Sequence, residues 1–485
     1  MNLYKRIGLL LGPLLFIIIH FSFEAEGLSN EGRDILACTV WIGVWWVLEV
    51  IPISVTALLP IILFPLMRAI GLSETTASYG HKYVFLYLGG FMLAMAIEKW
   101  SLHKRIALYI IYTIGTNLYT IVLGFMVATA FLSMWISNTA TTVMVLPMAM
   151  SIIKQLKENS GKREYESKKF SKLLMLSIAY SASIGGIATL IGTPPNLVFA
   201  GFVQKTYNID ISFWQWMKFG LPVATILLFL AWFYLTRFAY PLREKSFPGG
   251  RNEINRLINE LGPIKIEEKR VLAVFVLTAF CWITRSFFLQ KFIPNIDDTI
   301  IAIGAAILLF LIPDGGKKRS LLIWNEAVRI PWGIILLFGG GMAIAKGFDA
   351  TGLASYLGSQ MIFFEGLPLF VLLLLIITCV NFLTEVTSNL ATTAMMLPVM
   401  APLALSLDVD PFILLVACTA AASCAFMLPV ATPPNAVVFG SGYLRIPDML
   451  KAGFLMNLIS IIVMALVIRF LLPLLWNLDR FLIGS

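Results

Sequence analysis

Long apolar stretches separated by short polar segments recur along the whole chain. A helix that crosses the hydrocarbon core of a bilayer needs roughly 20 apolar residues. Some stretches are shorter than this, and others are too long to form one helix. The pattern predicts an all-α polytopic membrane protein with about 11 transmembrane helices and additional partial helices. The stretches are 9–21, 35–66, 84–97, 106–126, 173–202, 213–235, 271–288, 299–312, 331–345, 367–383, 411–439 and 455–475.

The composition supports the membrane class. Hydrophobic residues make up 59% of the chain and charged residues 13%, against about 45–50% and about 25% in soluble domains. A soluble protein of this composition would have too little polar surface to face water. The first apolar stretch follows Lys5 and Arg6 without a small-residue cleavage site after it, so we expect a retained first helix rather than a signal peptide.

Positive charge is concentrated in a few segments between the apolar stretches. The net charge of +9 therefore indicates membrane orientation rather than nucleic-acid binding. The positive-inside rule places the basic segments in the cytoplasm, and the acidic segment after the first stretch is expected outside. These assignments predict a multi-pass protein of the cell's inner (plasma) membrane with a cytoplasmic N-terminus. The basic segments are 154–172, 243–270 and 317–319, and the acidic residues are Glu24, Glu26, Glu31 and Asp34.

The two halves of the chain contain the same motifs in the same order. Each half has a glycine pair before a methionine, then a Ser-Asn pair with Ala-Thr-Thr after it, then Thr-Pro-Pro-Asn. The copies lie at a nearly constant spacing of roughly 240 to 250 residues, which indicates an internal duplication. An odd number of spans per copy would invert the second copy, as in many secondary transporters. The motifs are at 89–92, 137–142 and 193–196, and again at 339–342, 388–393 and 432–435.

The repeats suggest how the chain is divided. We expect N-terminal scaffold helices in 1–80 and a first inverted repeat, with a hairpin and a broken helix, in 81–240. A cytoplasmic loop and further scaffold helices would fill 241–330. The second repeat, with its own hairpin, broken helix and a C-terminal helix, would fill 331–485.

The Thr-Pro-Pro-Asn motifs predict broken helices inside the membrane. Proline lacks a backbone N–H and disfavours helical backbone in the residue before it. The carbonyls of Leu190 and Ile191, and those of Pro429 and Val430, therefore lose their helical partners. An unsatisfied carbonyl in lipid costs several kcal/mol, which a bound cation would offset.

The Ser-Asn motifs resemble helix N-caps. A helix N-terminus inside the membrane offers free N–H groups and a positive dipole end, which suit a carboxylate. Two such ends facing each other suit an anion with two carboxylates, and side-chain oxygens also suit a hard cation. Hydroxyl residues in membrane helices often only bond neighbouring backbone. Two matched motifs, each followed by a broken helix, favour the binding interpretation.

Other polar residues are weaker candidates. Glu49 and Glu385 are carboxylates in apolar surroundings; Glu49 equally suits a structural pair with a buried cation, and Glu385 an aqueous vestibule near the site. Glu98 and Lys99 are interpreted as an interfacial pair. The isolated histidines and cysteines lack metal-ligand spacing, and no hydrolase motif is apparent, so neither a metal centre nor an enzyme is predicted. A channel fits broken repeats less well than alternating access.

At these motifs the chain resembles the divalent anion:sodium symporter family, which transports dicarboxylates, citrate and, in some members, sulfate. The resemblance extends over essentially the whole chain. It implies a homodimer with a scaffold domain and a mobile transport domain, an elevator motion, and two re-entrant hairpins with Ser137 and Ser388 at their tips. The matching segments are 133–139, 191–196, 384–389 and 431–435.

The resemblance also implies site residues and a function. One sodium ion would bind near Ser133, Ser137, Asn138 and Gly192, and a second near Thr384, Thr387, Asn389 and Ala431. The substrate would contact Ser137, Asn138, Thr139, Thr193, Ser388, Asn389 and Thr432. No cofactor is expected besides Na⁺ as coupling ion.

Leu390 departs from the family pattern, because a threonine often completes the second Ser-Asn-Thr; the substitution removes one hydroxyl from the pocket. The expected function is sodium-coupled uptake of succinate, malate or fumarate. A sodium-independent exchanger and a carrier of citrate, sulfate or another inorganic anion are the alternatives.

Overall fold

The computed structural model describes residues 3–115, 117–159, 164–242, 250–316, 319–360 and 364–478. Within these ranges the chain is helical and forms no β-strand, apart from one isolated bridge between Pro313 and Ser320. The all-α prediction is therefore confirmed. Part of the predicted basic segments lies outside the described residues, namely Lys162, Arg163, Arg243, Lys245, Lys317 and Lys318.

The N-terminal helices form a hairpin followed by short helical pieces. Ser29 caps the second helix, and its hydroxyl accepts a hydrogen bond from Gly32 N. Pro52, Pro60 and Pro65 fall where the chain is divided into short helices. The helices are α1 (Leu3–Ser22), α2 (Asn30–Val47), α3 (Ile53–Thr56), α4 (Leu59–Leu66) and α5 (Leu72–Ala77), followed by a 3₁₀ turn (Ser78–Gly80).

A first series of helices contains the first set of motifs. It ends in a π-helical turn, Leu235–Ala239. The helices are α6 (Lys82–Lys99), α7 (Leu102–Ile114), α8 (Leu118–Ser133), α9 (Asn138–Asn159), α10 (Glu164–Ile187), α11 (Pro194–Tyr207) and α12 (Phe213–Tyr234).

A second series repeats this order. It follows the connecting helices α13 (Gly250–Glu260), α14 (Ile266–Thr284), α15 (Asp298–Leu311) and α16 (Trp324–Ala327), with a 3₁₀ turn at Leu289–Lys291. The series is α17 (Trp332–Ala350), α18 (Leu353–Ser359), α19 (Leu369–Thr384), α20 (Asn389–Ser406), α21 (Pro411–Ala422), α22 (Pro433–Gly440) and α23 (Ile446–Leu466). It too ends in a π-helical turn, Val467–Leu471, before the last helix α24 (Leu472–Trp476).

Many of these helices are suited to a membrane. In the described part of the chain, 8 helices are long and apolar enough to cross one. Shorter apolar helices include α8, α19 and α21, which flank the Ser-Asn and Thr-Pro-Pro-Asn motifs. The polytopic class is confirmed, and the total of about 11 spans stays a prediction.

The corresponding helices α6 and α17 run in opposite directions. Lys99, at the end of α6, pairs with Glu326 just before α17 begins, at 2.7 Å. Lys346, near the end of α17, pairs with Glu74 just before α6 begins, at 3.0 Å. Each helix therefore starts where the other ends.

The two series also pack against each other crosswise. Helix α11 of the first series packs on α20 and α21 of the second, and α22 of the second packs on α9 and α10 of the first. Such reciprocal packing is what a pseudo-two-fold relation between the two series would produce. Small residues allow the close approach within each series: a Cβ on Gly185 would overlap the backbone of Ala130, so α10 lies directly against α8.

Candidate functional site

Each Ser-Asn motif lies in a short turn between two helices. Helix α8 ends at Ser133 and α9 begins at Asn138, while α19 ends at Thr384 and α20 begins at Asn389. The Ser137 and Ser388 carbonyls accept the first helical hydrogen bonds of α9 and α20. Both motifs are therefore helix starts, as their sequence predicted.

Each Thr-Pro-Pro-Asn motif is a helix break, also as predicted. Helix α10 ends at Ile187 and α11 begins at Pro194, and α21 ends at Ala422 and α22 begins at Pro433. The threonine before each proline pair is extended, with φ −140° and ψ 143° at Thr193 and φ −140° and ψ 149° at Thr432. Proline enforces this geometry on the residue before it.

The asparagine of each motif satisfies carbonyls of its own broken helix. Asn196 Nδ2 donates to Thr189 O at 2.7 Å, to Gly186 O at 3.1 Å and to Ile187 O at 3.4 Å. Trp216 Nε1 adds a bond to Ile187 O at 2.9 Å. These carbonyls lie before Leu190 and Ile191, whose carbonyls the sequence predicts to be free, and this role of Asn196 is not predicted from the sequence.

The second asparagine has the same role. Asn435 Nδ2 donates to Leu428 O at 3.0 Å and to Ala425 O at 3.3 Å. Asn196 and Asn435 are both fully buried. Their Oδ1 atoms have no hydrogen-bond partner among the residues that the structure describes. An amide directly after two prolines inside an apolar stretch was the signal in the sequence.

The first hairpin turn is fastened to the first broken helix by Ser133 and Asn138. Ser133 Oγ donates to Ala182 O at 2.7 Å. The Asn138 amide satisfies its neighbours when its nitrogen faces them, donating to Ser133 Oγ at 2.6 Å, Ala182 O at 3.1 Å and Gly192 O at 3.2 Å. Three residues of the predicted first sodium site, Ser133, Asn138 and Gly192, thus lie together. The hydroxyl of the fourth, Ser137, accepts from Ala140 N at 3.3 Å.

The second hairpin turn has the same fastening. Thr384 Oγ1 lies 2.7 Å from Asn389 Oδ1 and 2.9 Å from Ala422 O, and its one hydrogen is donated to either of them. Thr387 Oγ1 instead bonds within its own hairpin, to Leu383 O at 2.9 Å. Of the predicted second sodium site, Thr384 and Asn389 lie together. Ala431 lies in the following break, where its N–H donates to Leu428 O at 3.2 Å.

Burial divides the predicted site residues into two groups. The residues at the hairpin tips are partly accessible, whereas the residues behind them are buried. The accessible group includes Ser137, Asn138 and Asn389, which are predicted to contact both sodium and substrate, and the predicted substrate contacts Thr193 and Thr432 are buried. The partly accessible residues are Ser137, Asn138, Thr139, Ser388 and Asn389, and the buried ones are Ser133, Gly192, Thr384, Thr387 and Ala431.

A small cleft reaches the first tip. It has a volume of about 10 Å³ and is lined by Tyr87, Gly90, Phe91, Trp135, Ser137 and Ile191. This is about the space that one water needs, far below the roughly 300 Å³ of a ligand pocket.

Three weaker candidates lie elsewhere than we expected. Glu49 is exposed in a left-handed turn after α2 (φ 43°), so it is not a buried ion-pair partner. Lys99 pairs with Glu326 rather than with Glu98. Glu385 is only 3% exposed and accepts backbone hydrogen bonds, so it does not face a vestibule. Among the described residues, no group of three or more His, Cys, Asp or Glu side chains could hold a metal ion.

These features define a class of protein: a polytopic transport protein whose site is built from two hairpin turns and two broken helices. The family model for the sodium:sulfate symporter transmembrane region matches residues 4–478. The chain belongs to the divalent anion:sodium symporter family. It is therefore a transporter and not an enzyme, as the sequence predicted.

Named relatives are similar over nearly the whole chain. The sodium-dependent dicarboxylate transporter SdcS of Staphylococcus saprophyticus is 46% identical over 478 residues, covering 97% of this chain and 92% of that protein. The SdcS of Staphylococcus aureus strain RF122 is 44% identical over 481 residues, covering 98% and 92%.

Solved transporter structures share the fold. The MtrF efflux pump of Neisseria gonorrhoeae superposes with a TM-score of 0.56 at 11% identity, covering 97% of this chain and 95% of that one. The YdaH transporter of Alcanivorax borkumensis superposes with a TM-score of 0.56 at 11% identity, covering 85% and 90%. At this identity the likeness concerns the fold alone.

Proposed function

We propose that this protein carries C4-dicarboxylates such as succinate, malate and fumarate across the cell's inner (plasma) membrane, coupled to sodium. The SdcS proteins are named as sodium-dependent dicarboxylate transporters. Their similarity to this chain covers both Ser-Asn turns and both breaks, so we propose the same substrate class for this protein.

The observation that carries the proposal is the matched pair of polar sites at and behind the hairpin tips. In each, a hydroxyl at the end of one helix meets an asparagine at the start of the next and a carbonyl of the broken helix. The groups are Ser133, Asn138 and Ala182 in the first and Thr384, Asn389 and Ala422 in the second. Hydroxyl and carbonyl oxygens are ligands that a hard cation takes, and the Asn138 amide would present its oxygen in place of its nitrogen when sodium is bound. We assign one sodium ion to each group, with the nearby ligands Ser137, Gly192, Thr387 and Ala431.

The anion would bind between the two hairpin tips. Helices α9 and α20 direct their N-termini toward the tips, where free N–H groups and the dipole favour a carboxylate. One carboxylate per tip explains the preference for a substrate with two. The contacts would come from Ser137, Asn138, Thr139, Thr193, Ser388, Asn389 and Thr432. Leu390 is 4% exposed and supplies no hydroxyl.

The transport cycle we propose is an elevator motion in a homodimer. The antiparallel course of α6 and α17 supports inverted repeats, the architecture in which alternating access is common. Basic segments near the starts of α10 and α14 support a cytoplasmic N-terminus by the positive-inside rule. Sodium is the coupling ion, and the mechanism uses no other cofactor.

Uptake of radiolabelled succinate into proteoliposomes tests the function. We expect accumulation with an inward sodium gradient, and little uptake when potassium or choline replaces sodium. Competition by unlabelled citrate and sulfate ranks the alternative anions. Uptake that ignores sodium but needs internal dicarboxylate would identify an exchanger and refute sodium coupling.

A further inference from the structure

The two hairpin turns are matched at their tips, but the residues behind them differ. Helices α12 and α23 can be aligned because each has one glycine packed against a backbone carbonyl of its own repeat. A Cβ on Gly220 would collide with Ile187 O, and a Cβ on Gly453 would collide with Phe426 O. In this register Asn457 and Ser460 of α23 correspond to apolar residues of α12. The Ser-Asn motifs give the register for Asn381 and Glu385. The four apolar counterparts are Ala130, Met134, Ala224 and Leu227.

The second copy therefore contains a buried polar cluster where the first copy is apolar. Its members Asn381, Glu385, Asn457 and Ser460 are each 3% exposed or less. They are linked: Asn381 Nδ2 donates to Cys424 O at 2.6 Å and to Ser460 Oγ at 3.3 Å, and Asn457 Nδ2 donates to Glu385 Oε1 at 2.8 Å.

Glu385 is the centre of this cluster. It accepts hydrogen bonds from three successive backbone N–H groups of the second break: Phe426 at 2.7 Å, Met427 at 2.9 Å and Leu428 at 3.0 Å. With Asn457, every partner it has among the described residues is a neutral donor, and both oxygens only accept. Both oxygens thus act as hydrogen-bond acceptors for N–H groups, as those of a carboxylate do.

The arrangement places one negative charge directly behind the second hairpin turn. Neutral N–H donors stabilise a buried carboxylate but leave its net charge in place. Glu385 follows Thr384 in the chain, and Thr384 contacts Asn389 and Ala422. At the corresponding place in the first copy, Thr189 Oγ1 donates to Met134 O at 2.5 Å, a bond between neutral groups.

We propose that Glu385 is a positioning residue that makes the second cation site the tighter of the two, so that it fills before the first. The inference rests on the proposed sodium coupling. Glu385 acts in two ways: its bonds fix the carbonyls of the second break, and its charge attracts the cation across a medium of low dielectric constant.

The test compares E385Q, which keeps the size and removes the charge, with E385D, which keeps the charge. Met134→Gln at the corresponding first-copy position is the matched control. The readout is the sodium concentration that gives half of the sodium-dependent thermal stabilisation of the purified protein. We expect E385Q to raise this midpoint about tenfold or more, with E385D and M134Q within about threefold of wild type. A midpoint in E385Q equal to that of wild type, or an equal rise in E385D, would overturn the inference.

A second measurement does not depend on the folding of Glu385 variants. Ser133→Ala weakens the first sodium site, and Thr384→Ala weakens the second. If the two sites fill at different sodium concentrations, the titration of the wild type has a high-affinity phase and a low-affinity phase. The titrations of the two variants show which of them loses the high-affinity phase. The inference requires this loss in T384A. Loss in S133A, with the phase intact in T384A, would refute it. A wild-type protein that shows no stabilisation or uptake response to sodium would instead refute the proposed function itself, whatever the variants do.

Discussion

The two hairpin sites contain the same kinds of polar group, but the residues that support these groups differ. In the first, the turn rests on neutral contacts, with Thr189 bonded to Met134 O. In the second, a carboxylate holds three consecutive N–H groups of the broken helix. Both copies thus have a hydroxyl, an amide and a carbonyl group in contact, while the residues behind these groups differ. Under the proposed function, the shared groups would bind sodium in both copies, and the differing residues would give the two sites different affinities.

The asparagine at each turn should be indispensable in both copies. Asn138→Ala removes the amide that bonds the first turn to the broken helix, and Asn389→Ala removes the partner of Thr384 in the second turn. We expect each to reduce sodium-driven succinate uptake by about 100-fold or more. Asn259→Ala, on the exposed face of α13, is the control and should transport like wild type. Uptake like that of wild type in either site variant, at equal protein in the membrane, would remove the basis of the site assignment.

Replacing Gly186, a glycine next to the first turn, should impair the first site and leave the second site intact. A Cβ on Gly186 would lie 2.5 Å from the side-chain amide of Asn138, so Gly186→Ala should displace Asn138 and reduce uptake by about tenfold or more. At Gly90 a Cβ would lie 3.7 Å from Ile191 Cγ2, an ordinary contact, so Gly90→Ala is the matched control. Sodium titration should show the defect at the low-affinity phase. Equal uptake in both variants would contradict the geometry of the first site.

The asparagines of the breaks should differ in their effect on stability. Asn196 bonds three carbonyls and Asn435 bonds two, and each lost bond to a buried carbonyl costs about 1 kcal/mol or more. Asn196→Ala should therefore lower the melting temperature more than Asn435→Ala does. Scanning fluorimetry of the purified variants measures this. The reverse order would show that neighbouring groups, such as Glu385, depend on Asn435 more than its own bonds indicate.

The smallest effect is expected at the one mismatch between the motifs. Leu390→Thr restores the hydroxyl that Thr139 supplies in the first copy, at a buried position. We expect uptake within about threefold of wild type and a changed ratio of citrate to succinate competition, because one hydrogen bond contributes about 0.5–1.5 kcal/mol net, which is about tenfold or less in affinity. Thr139→Leu is the mirror variant and should change the ratio in the opposite sense. An unchanged ratio in both would place this position outside the substrate pocket.

Local rules made the fold class and the positions of the breaks predictable. Proline fixes its own φ and removes a donor wherever it stands, so Pro194 and Pro433 mark the starts of α11 and α22. The turns before Asn138 and Asn389 follow from the same kind of rule for helix caps. The duplication could be read because equal motifs recurred in equal order.

Roles that depend on distant parts of the chain were not predictable. The sequence suggests that Glu385 faces an aqueous vestibule. Nothing within its own segment shows that the break at 426–428 lies against it. Lys99 had been paired with its neighbour Glu98, although its partner is Glu326, far along the chain. The sequence by itself determined the membrane class, the repeats and the breaks, because these follow from hydrophobicity and backbone chemistry. Only the tertiary structure decided which hydrogen-bond donors meet each buried acceptor, because those partners are brought together by packing between helices.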